Sequence, residues 1–516
     1  MTTTPESAAT ALKIDGVSHA GPEIAELHRQ SELAAEGASP VPRNIRTGVV
    51  RGSLWTIAGY GAGQVLRLAG NIVVSRLVLP EAFGIMALVN IFLQGLTMFS
   101  DVGIEPAIVQ NRRGDEPRFY NTAWTVQVLR GMVLFVVSCL AAWPFAAAYD
   151  EPRLAWLIPA AAATTLVAGW NSTALFAARR HLMLAPLTLL DLTAQGTGVT
   201  VMCLLAWHGA NVWSMVGGAV ATTLVTLVGS HRLLPNYANR FAWDRSALHE
   251  LVRFGKWILV STIVTFCALQ IDRLMLGRMI SKDQLGVYSV AAAIALLPNM
   301  ILQTLAGAVL YPLLARYARQ SGSLVRSNFR ATREVLAALG TLLIVGVVLE
   351  AETFFALLYD DRYAAAAGIA RQLAIASGIM MLSTMLERVP QALGDTRSLA
   401  IFNFAKTSLA VVCAPLGFRW LGGLEGFLAG YIVALALGHV VLLGLLTLHG
   451  VSVWRDDVRS AATAVLVAWG GVAIARTFLD WHGPAAREIA AWTYLAGVGC
   501  WALGATRRLR HMTDVA

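Results

Sequence analysis

The chain has 516 residues, of which 56% are hydrophobic and 14% charged, with a mean hydropathy of +0.61, a net charge of +9 and a pI of 9.6. Soluble domains average about 25% charged residues, so a water-soluble fold has nowhere to place this much apolar surface. The excess positive charge flanks apolar runs, which points to anionic lipid headgroups as its partners and away from nucleic acid.

Residues 1–42 are rich in Ala, Glu, Ser, Pro and Gly and lack the apolar stretch of a signal peptide, so they are expected to form a disordered cytoplasmic tail. About fourteen apolar runs follow, each near the ~20 residues that a helix needs to cross a bilayer. The first six cover 53–78, 82–108, 121–147, 154–178, 185–207 and 210–231. The remainder cover 255–280, 284–315, 333–358, 366–392, 397–418, 424–448, 458–479 and 487–505. Every second gap is cationic. The even-numbered gaps and both tails hold about 25 Arg and Lys against about 7 in the others, which sets those gaps and both termini in the cytoplasm. The external gaps are all short and leave no room for an extracytoplasmic domain.

After the sixth run comes the longest polar connection, His231 to Lys256, which reads as a cytoplasmic linker over 232–256. A repeat supports a division there. At an offset of 202 residues Trp55 falls on Trp257, Arg76 on Arg278, Glu81 on Asp283 and Gly84 on Gly286. The expected fold is therefore an all-α polytopic membrane protein with two parallel six-helix lobes, 43–231 and 257–449, and two further helices in 450–516. Parallel repeats place their pseudo-two-fold axis along the membrane normal.

Polar residues inside the runs are costly unless they face a partner or a wet cavity. On the first run Thr56, Tyr60, Gln64, Arg67, Asn71 and Ser75 share one helical face; on the second, Asn90, Gln94, Thr97, Asp101 and Glu105 do. Two readings fit these stripes: they line a hydrated chamber, or they join helices by hydrogen bonds. Arg67 lies too deep to snorkel easily, which favours the chamber for that residue. Gln270, Asp272 and Arg273 form a corresponding cluster on the seventh run, where pairing within the cluster is the alternative. Arg130, Arg371 and Lys406 are further cations on such a chamber's lining, although Arg371 is close enough to the outer surface to snorkel. Asp191 sits in a shorter stripe with Thr188 and Gln195, and His439 reads as a packing histidine. Among these groups cations outnumber acids, so the chamber would attract an anion. Phosphate or pyrophosphate suits guanidinium groups, which grip their oxygens as a fork. The acids Asp101, Glu105, Asp191 and Asp272 are candidates for taking up H⁺ or Na⁺.

The five cysteines, Cys139, Cys203, Cys267, Cys413 and Cys500, all lie in apolar runs without CxxC spacing and read as packing residues. No metal-ligand or catalytic motif is found, and neither a cofactor nor enzymatic activity is expected.

The stretches SRLVLPEAFGIMALV, DVGIEPAIVQ and DRLMLGRMISKDQLGVYSVA resemble the Wzx-type polysaccharide flippases of the MOP exporter superfamily, over roughly residues 50–505. The resemblance implies translocation of an undecaprenyl-pyrophosphate-linked oligosaccharide across the inner membrane, for lipopolysaccharide, capsule or exopolysaccharide. A glycan polymerase and a chain-length regulator would act downstream of it. Members of that family have a cationic lumen, and Arg67 best fits it here. Three other readings stand beside it. A peptidoglycan lipid II flippase shares the pyrophosphate; a multidrug or cation exporter would favour an acidic chamber; a membrane glycan polymerase or ligase would need a large external loop, which this chain lacks.

Overall fold

The computed structural model describes residues 43–101, 103–111, 113–234, 237–317, 323–392 and 395–448. All regular structure among them is helical. The first half holds α1 (Arg43–Leu77), α2 (Pro80–Phe99), α3 (Ile104–Gln110), α4 (Pro117–Ala148), α5 (Leu154–Gly169), α6 (Ala174–Arg180), α7 (Leu184–Trp207) and α8 (Val212–Leu233). The second holds α9 (Arg245–Met279), α10 (Lys282–Ala295), α11 (Leu297–Tyr317), α12 (Ser323–Leu358), α13 (Ala366–Ala392), α14 (Thr396–Gly417) and α15 (Gly423–Leu448). The first twelve expected spans each fall on one of these helices or on a consecutive pair. Among the described residues seven stretches are long and apolar enough to cross a membrane, nine when two bent pairs are counted, and the chain is a multi-pass membrane protein. The tail at 1–42 and the runs at 458–479 and 487–505 lie outside the described residues.

Three expected spans are each two helices. The run at 82–108 breaks after α2, where the Asp101 carboxylate accepts the Gly103 N–H at 2.9 Å and Gly103 turns left-handed (φ 66°) ahead of α3. The run at 154–178 bends by 61° between α5 and α6. There Gln127 of α4 donates to the carbonyls of Gly169 (3.1 Å) and Asn171 (2.9 Å), which the break leaves without helical partners. The run at 284–315 bends by 41° at Leu296, because Pro298 has no N–H to offer Ile294.

The bundle has two unlike ends. At the end with the short connections a single hydrophobic core joins the halves, with Val74, Leu88 and Leu157 in one cluster with Leu276, Tyr288 and Tyr363. Helices α2 and α10 cross there at Gly84 and Gly286. A Cβ on Gly84 would stand 1.9 Å from the Lys282 carbonyl oxygen, and one on Gly286 would stand 1.8 Å from that of Pro80. Both pairings obey the offset of 202, so the contact is isologous: each helix offers its partner the same surface. Exposed Trp143, Trp156, Trp207, Trp213 and Trp420 ring this end, as indoles do at a membrane boundary.

At the opposite end the cores separate. Leu302, Leu310, Leu336 and Leu442 cluster within the second half; Ile104, Ile108 and Phe119 cluster within the first, joined by Ala247 from the start of α9. The connection between the halves is shorter than 232–256, since α8 runs to Leu233 and α9 begins at Arg245, capped by Asp244. It is a strap held by side chains of α4: Asn121 accepts the Arg240 N–H (2.9 Å), Thr125 that of Ala242 (3.1 Å) and Thr122 that of Asp244 (3.1 Å). Arg113 binds Glu116, Asp244 and Glu250 beside it. Phe241 and Trp243 project from the strap, both largely exposed.

Candidate functional site

Glycines on α1 allow close contact with α7: Gly59 abuts Thr188, Gly63 abuts Gln195 and Gly70 abuts Val199. That packing turns the polar stripe of α1 away from α7. Along it Gln64 donates to the Tyr60 hydroxyl (2.8 Å) and accepts from Arg67 Nε at 3.2 Å. On α9 the arrangement repeats. Arg273 Nη1 donates to Gln270 (3.1 Å), and Gln270 donates to Gln94 of α2 (2.8 Å). In both halves an arginine is therefore steadied by the glutamine three residues before it, in the segments Gln64-Val-Leu-Arg67 and Gln270-Ile-Asp-Arg273. The two segments are 206 residues apart, one helical turn out of step with the repeat, which staggers the arginines by about 6 Å along their helices.

Both arginines line a cavity of about 650 Å³ bounded by α1, α2, α5, α7, α8, α9 and α10. Asn71, Asn90, Gln94, Gln195, Thr222 and Ser289 add neutral hydrogen-bonding groups, and Met86, Met202 and Met215 supply apolar wall. Arg67 and Arg273 are the charged residues of this lining; it contains no carboxylate. Among the described residues neither arginine has an acid within salt-bridge distance, so the guanidinium donors that the glutamines leave over face the cavity. Such a space attracts an anion, offers hydrogen bonds to hydroxyl groups beside it, and has a volume suited to a sizeable organic ligand.

A second cavity of about 520 Å³ lies toward the strap end and shares Thr164 and Thr223 with the first. Asp101, Glu105 and Arg130 line it. Arg130 spends donors on the end of α2, with Nε to the Ser100 hydroxyl (3.0 Å) and Nη2 to the Thr97 carbonyl (2.7 Å), so it acts as a C-terminal helix cap. Glu105 pairs with Arg179.

Of the residues expected from sequence, Arg67, Asn71 and Arg273 meet in the first cavity, and Gln64 supports it by holding Arg67. Arg130, Asp101 and Glu105 meet in the second. Arg371, Lys406, Asp191 and Asp272 line neither cavity. Arg371 binds Glu352 (2.8 Å) and the Val348 carbonyl of α12 (3.2 Å). Lys406 stands over the Phe402 ring with Nζ 4.9 Å from its centre. Asp191 is exposed outside both cavities, and Asp272 is buried and accepts a hydrogen bond from the Tyr288 hydroxyl. His439 is buried, with Nδ1 3.0 Å from the Ser383 hydroxyl. On the α2 stripe Asn90 faces the cavity, while Gln94 faces it and also accepts a hydrogen bond from Gln270 of the neighbouring helix. Sequence reasoning missed Thr164, Thr222 and Thr223. The signal was present, since Ala-Thr-Thr-Leu-Val occurs at 163–167 and again at 221–225, on α5 and α8.

Residues 73–368 match the family model described as polysaccharide biosynthesis protein. The succinoglycan biosynthesis transport protein ExoT of Rhizobium meliloti (strain 1021) is 23% identical over 77% of this chain and 78% of its own. The lipopolysaccharide biosynthesis protein WzxC of Escherichia coli (strain K12) is 21% identical over 78% of this chain and 82% of its own. In fold, the lipid II flippase MurJ in an inward closed conformation superposes with a TM-score of 0.65 at 10% identity, covering 86% of this chain and 98% of MurJ. An inward-facing multidrug resistance MATE transporter of the MOP superfamily superposes at 0.54 with 16% identity, covering 78% of this chain and 95% of its own. A polytopic all-helical bundle, a match across more than half its length and relatives of this kind make the chain a member of the polysaccharide biosynthesis protein family.

Proposed function

We propose that this protein flips an undecaprenyl-pyrophosphate-linked oligosaccharide from the cytoplasmic to the outer leaflet of a bacterial inner membrane, for assembly of lipopolysaccharide, capsule or exopolysaccharide. The observation that carries the reading is a cavity within the helical bundle whose charged lining consists of Arg67 and Arg273. Two staggered guanidinium groups match a pyrophosphate, whose two phosphoryl groups are themselves spaced along a chain. Asn71, Asn90, Gln94 and Thr222 are suited to sugar hydroxyls, and the names of ExoT and WzxC fit the same cargo class.

In this reading the strap end and both termini face the cytoplasm and the short connections face outward. Lobes 43–231 and 257–449 rock about the pseudo-two-fold axis, exposing the cavity to each side in turn. Uptake of H⁺ or Na⁺ drives return of the empty carrier. Asp101 and Glu105, which line the second cavity, are the leading acids for that step, with Asp191 and Asp272 as outlying ones. A glycan polymerase and a chain-length regulator receive the product.

The test is complementation of a strain that lacks its own glycan flippase. Wild type restores surface glycan and Arg67→Ala does not, at equal abundance in the membrane. Rescue of a strain lacking the peptidoglycan-precursor flippase, without rescue of glycan export, would reassign the cargo to lipid II.

A further inference from the structure

At the short-connection face, basic side chains are spent on helix ends. Arg76, in the last turn of α1, donates from Nε to the Leu358 carbonyl (3.1 Å) and from Nη2 to that of Leu357 (3.2 Å). Those carbonyls end α12, in the other half. Arg278, in the last turn of α9, donates from Nη1 to the Ala148 carbonyl (3.2 Å), which ends α4 in the first half. Each half thus finishes its first span with an arginine that caps the third span of the other. The two arginines keep the repeat offset of 202, so the exchange is reciprocal about the same axis as the Gly84 and Gly286 crossing. Neighbouring groups extend it: Arg362 donates to the Arg76 carbonyl (3.2 Å), and Lys282 Nζ donates to that of Tyr149 (2.9 Å).

The chemistry of these contacts suits repeated making and breaking. The last carbonyls of a helix have no partner inside it and carry the negative end of its dipole, so a guanidinium is attracted to them. Both arginines are also exposed. When the halves part, water replaces each partner and no polar group is left buried and unsatisfied. An ion pair inside the bundle would not part so readily.

We propose that Arg76 and Arg278 form a reciprocal latch that keeps the outer side of the cavity shut and releases as the halves rock apart. The proposal rests on the alternating-access reading given above. Its test uses full-length protein in lipid nanodiscs, with the five cysteines replaced and spin labels at positions 156 and 420, one exposed site in each half at this end. Pulsed electron resonance reads the separation of the labels. With both arginines intact a short separation dominates. Arg76→Met or Arg278→Met alone shifts the balance toward a longer one by roughly tenfold, the double variant shifts it further, and Arg76→Lys, which still donates to the carbonyls, restores part of it. Coincident distributions in the parent and both single variants would overturn the latch, and the singles suffice should the double fail to fold. Glycan export is scored in parallel. A shifted separation in a protein that exports no glycan keeps the latch and removes the transport reading.

Discussion

The short-connection end and the strap end of this bundle join the same two halves by different means. At the first, one hydrophobic core crosses between them, paired glycines bring backbones into contact and arginines are exchanged. At the second, the cores are largely separate, and the link from loop 111–116 to α9 is polar, through Arg113, Asp244, Glu250 and Asn111. The first, apolar and closely packed, is the dry end, and the second, polar and more loosely joined, is the wet end. The cavities follow the difference, since the first lies between helices sealed at the dry end and the second continues toward the wet one.

The largest effect is expected where that contrast meets the cargo. Arg67→Ala abolishes glycan export while abundance stays normal, and Arg67→Lys recovers only part of it, because charge survives and the fork does not. Loss of the protein along with export would make Arg67 a helix-packing residue. At the dry end, Gly84→Ala or Gly286→Ala forces a methyl group against a carbonyl. A cost of about 1–3 kcal/mol is expected, read as a lower thermal midpoint in detergent. Unchanged midpoints would mean the crossing is looser than its geometry.

Gln64→Leu and Gln270→Leu leave both arginines in place and remove what steadies them. Each is expected to slow export roughly tenfold, the worth of a ~1.5 kcal/mol hydrogen bond to a charged group, with stability little changed. At the wet end Thr122→Val removes one strap contact, for about 1 kcal/mol of stability and near-normal export. Equal losses of stability from Thr122→Val and Gly84→Ala would erase the contrast between the ends.

Acid affects both ends alike and least of all. Hydrogen bonds from Arg153 hold the Glu151 carboxyl below its usual range against the opposing effect of burial. For Asp115 burial pushes upward, but hydrogen bonds from His181 and Tyr237 outweigh it and the net direction is again down. Both therefore contribute stability that is complete above the ordinary carboxylate range and fades as pH falls through their lowered values. Thermal midpoints should be flat from neutrality down to about pH 5 and drop below pH 4. Glu151→Gln should flatten part of that drop.

Most of the fold was legible because bilayer thickness fixes span length and cations fix the gaps between spans. The bends were not, since Pro298 and the Trp170-Asn171-Ser172 turn sit inside apolar stretches that read as continuous. α1 is absent from the helices apolar enough to pass a hydropathy test. It reads from sequence as the apolar run 53–78, and the alignment of Gln64, Arg67 and Asn71 on one face marks it as a candidate site, as a site in a membrane protein must be built from residues the membrane rejects. Arg371 and Lys406 were expected beside Arg67 because depth along a helix can be counted from sequence. Direction around the bundle axis depends on which neighbours a helix meets, and that is set by packing. Arg130 illustrates the limit further: it lines the second cavity, but the helix end it caps exists only because α2 stops at Phe99.

The strap has a mechanical consequence. Three of its backbone amides are pinned to the base of α4, so it moves as part of the first half although it leads into the second. Ala247 packs in the core of the first half and Glu250 is held by Arg113 and Asn111, so the first turns of α9 are fixed there too and a hinge between the halves would lie beyond Glu250. A swing pivoting there would turn the rest of α9 as a lever, carrying Arg273 and Arg278, both near its far end, through arcs of similar size.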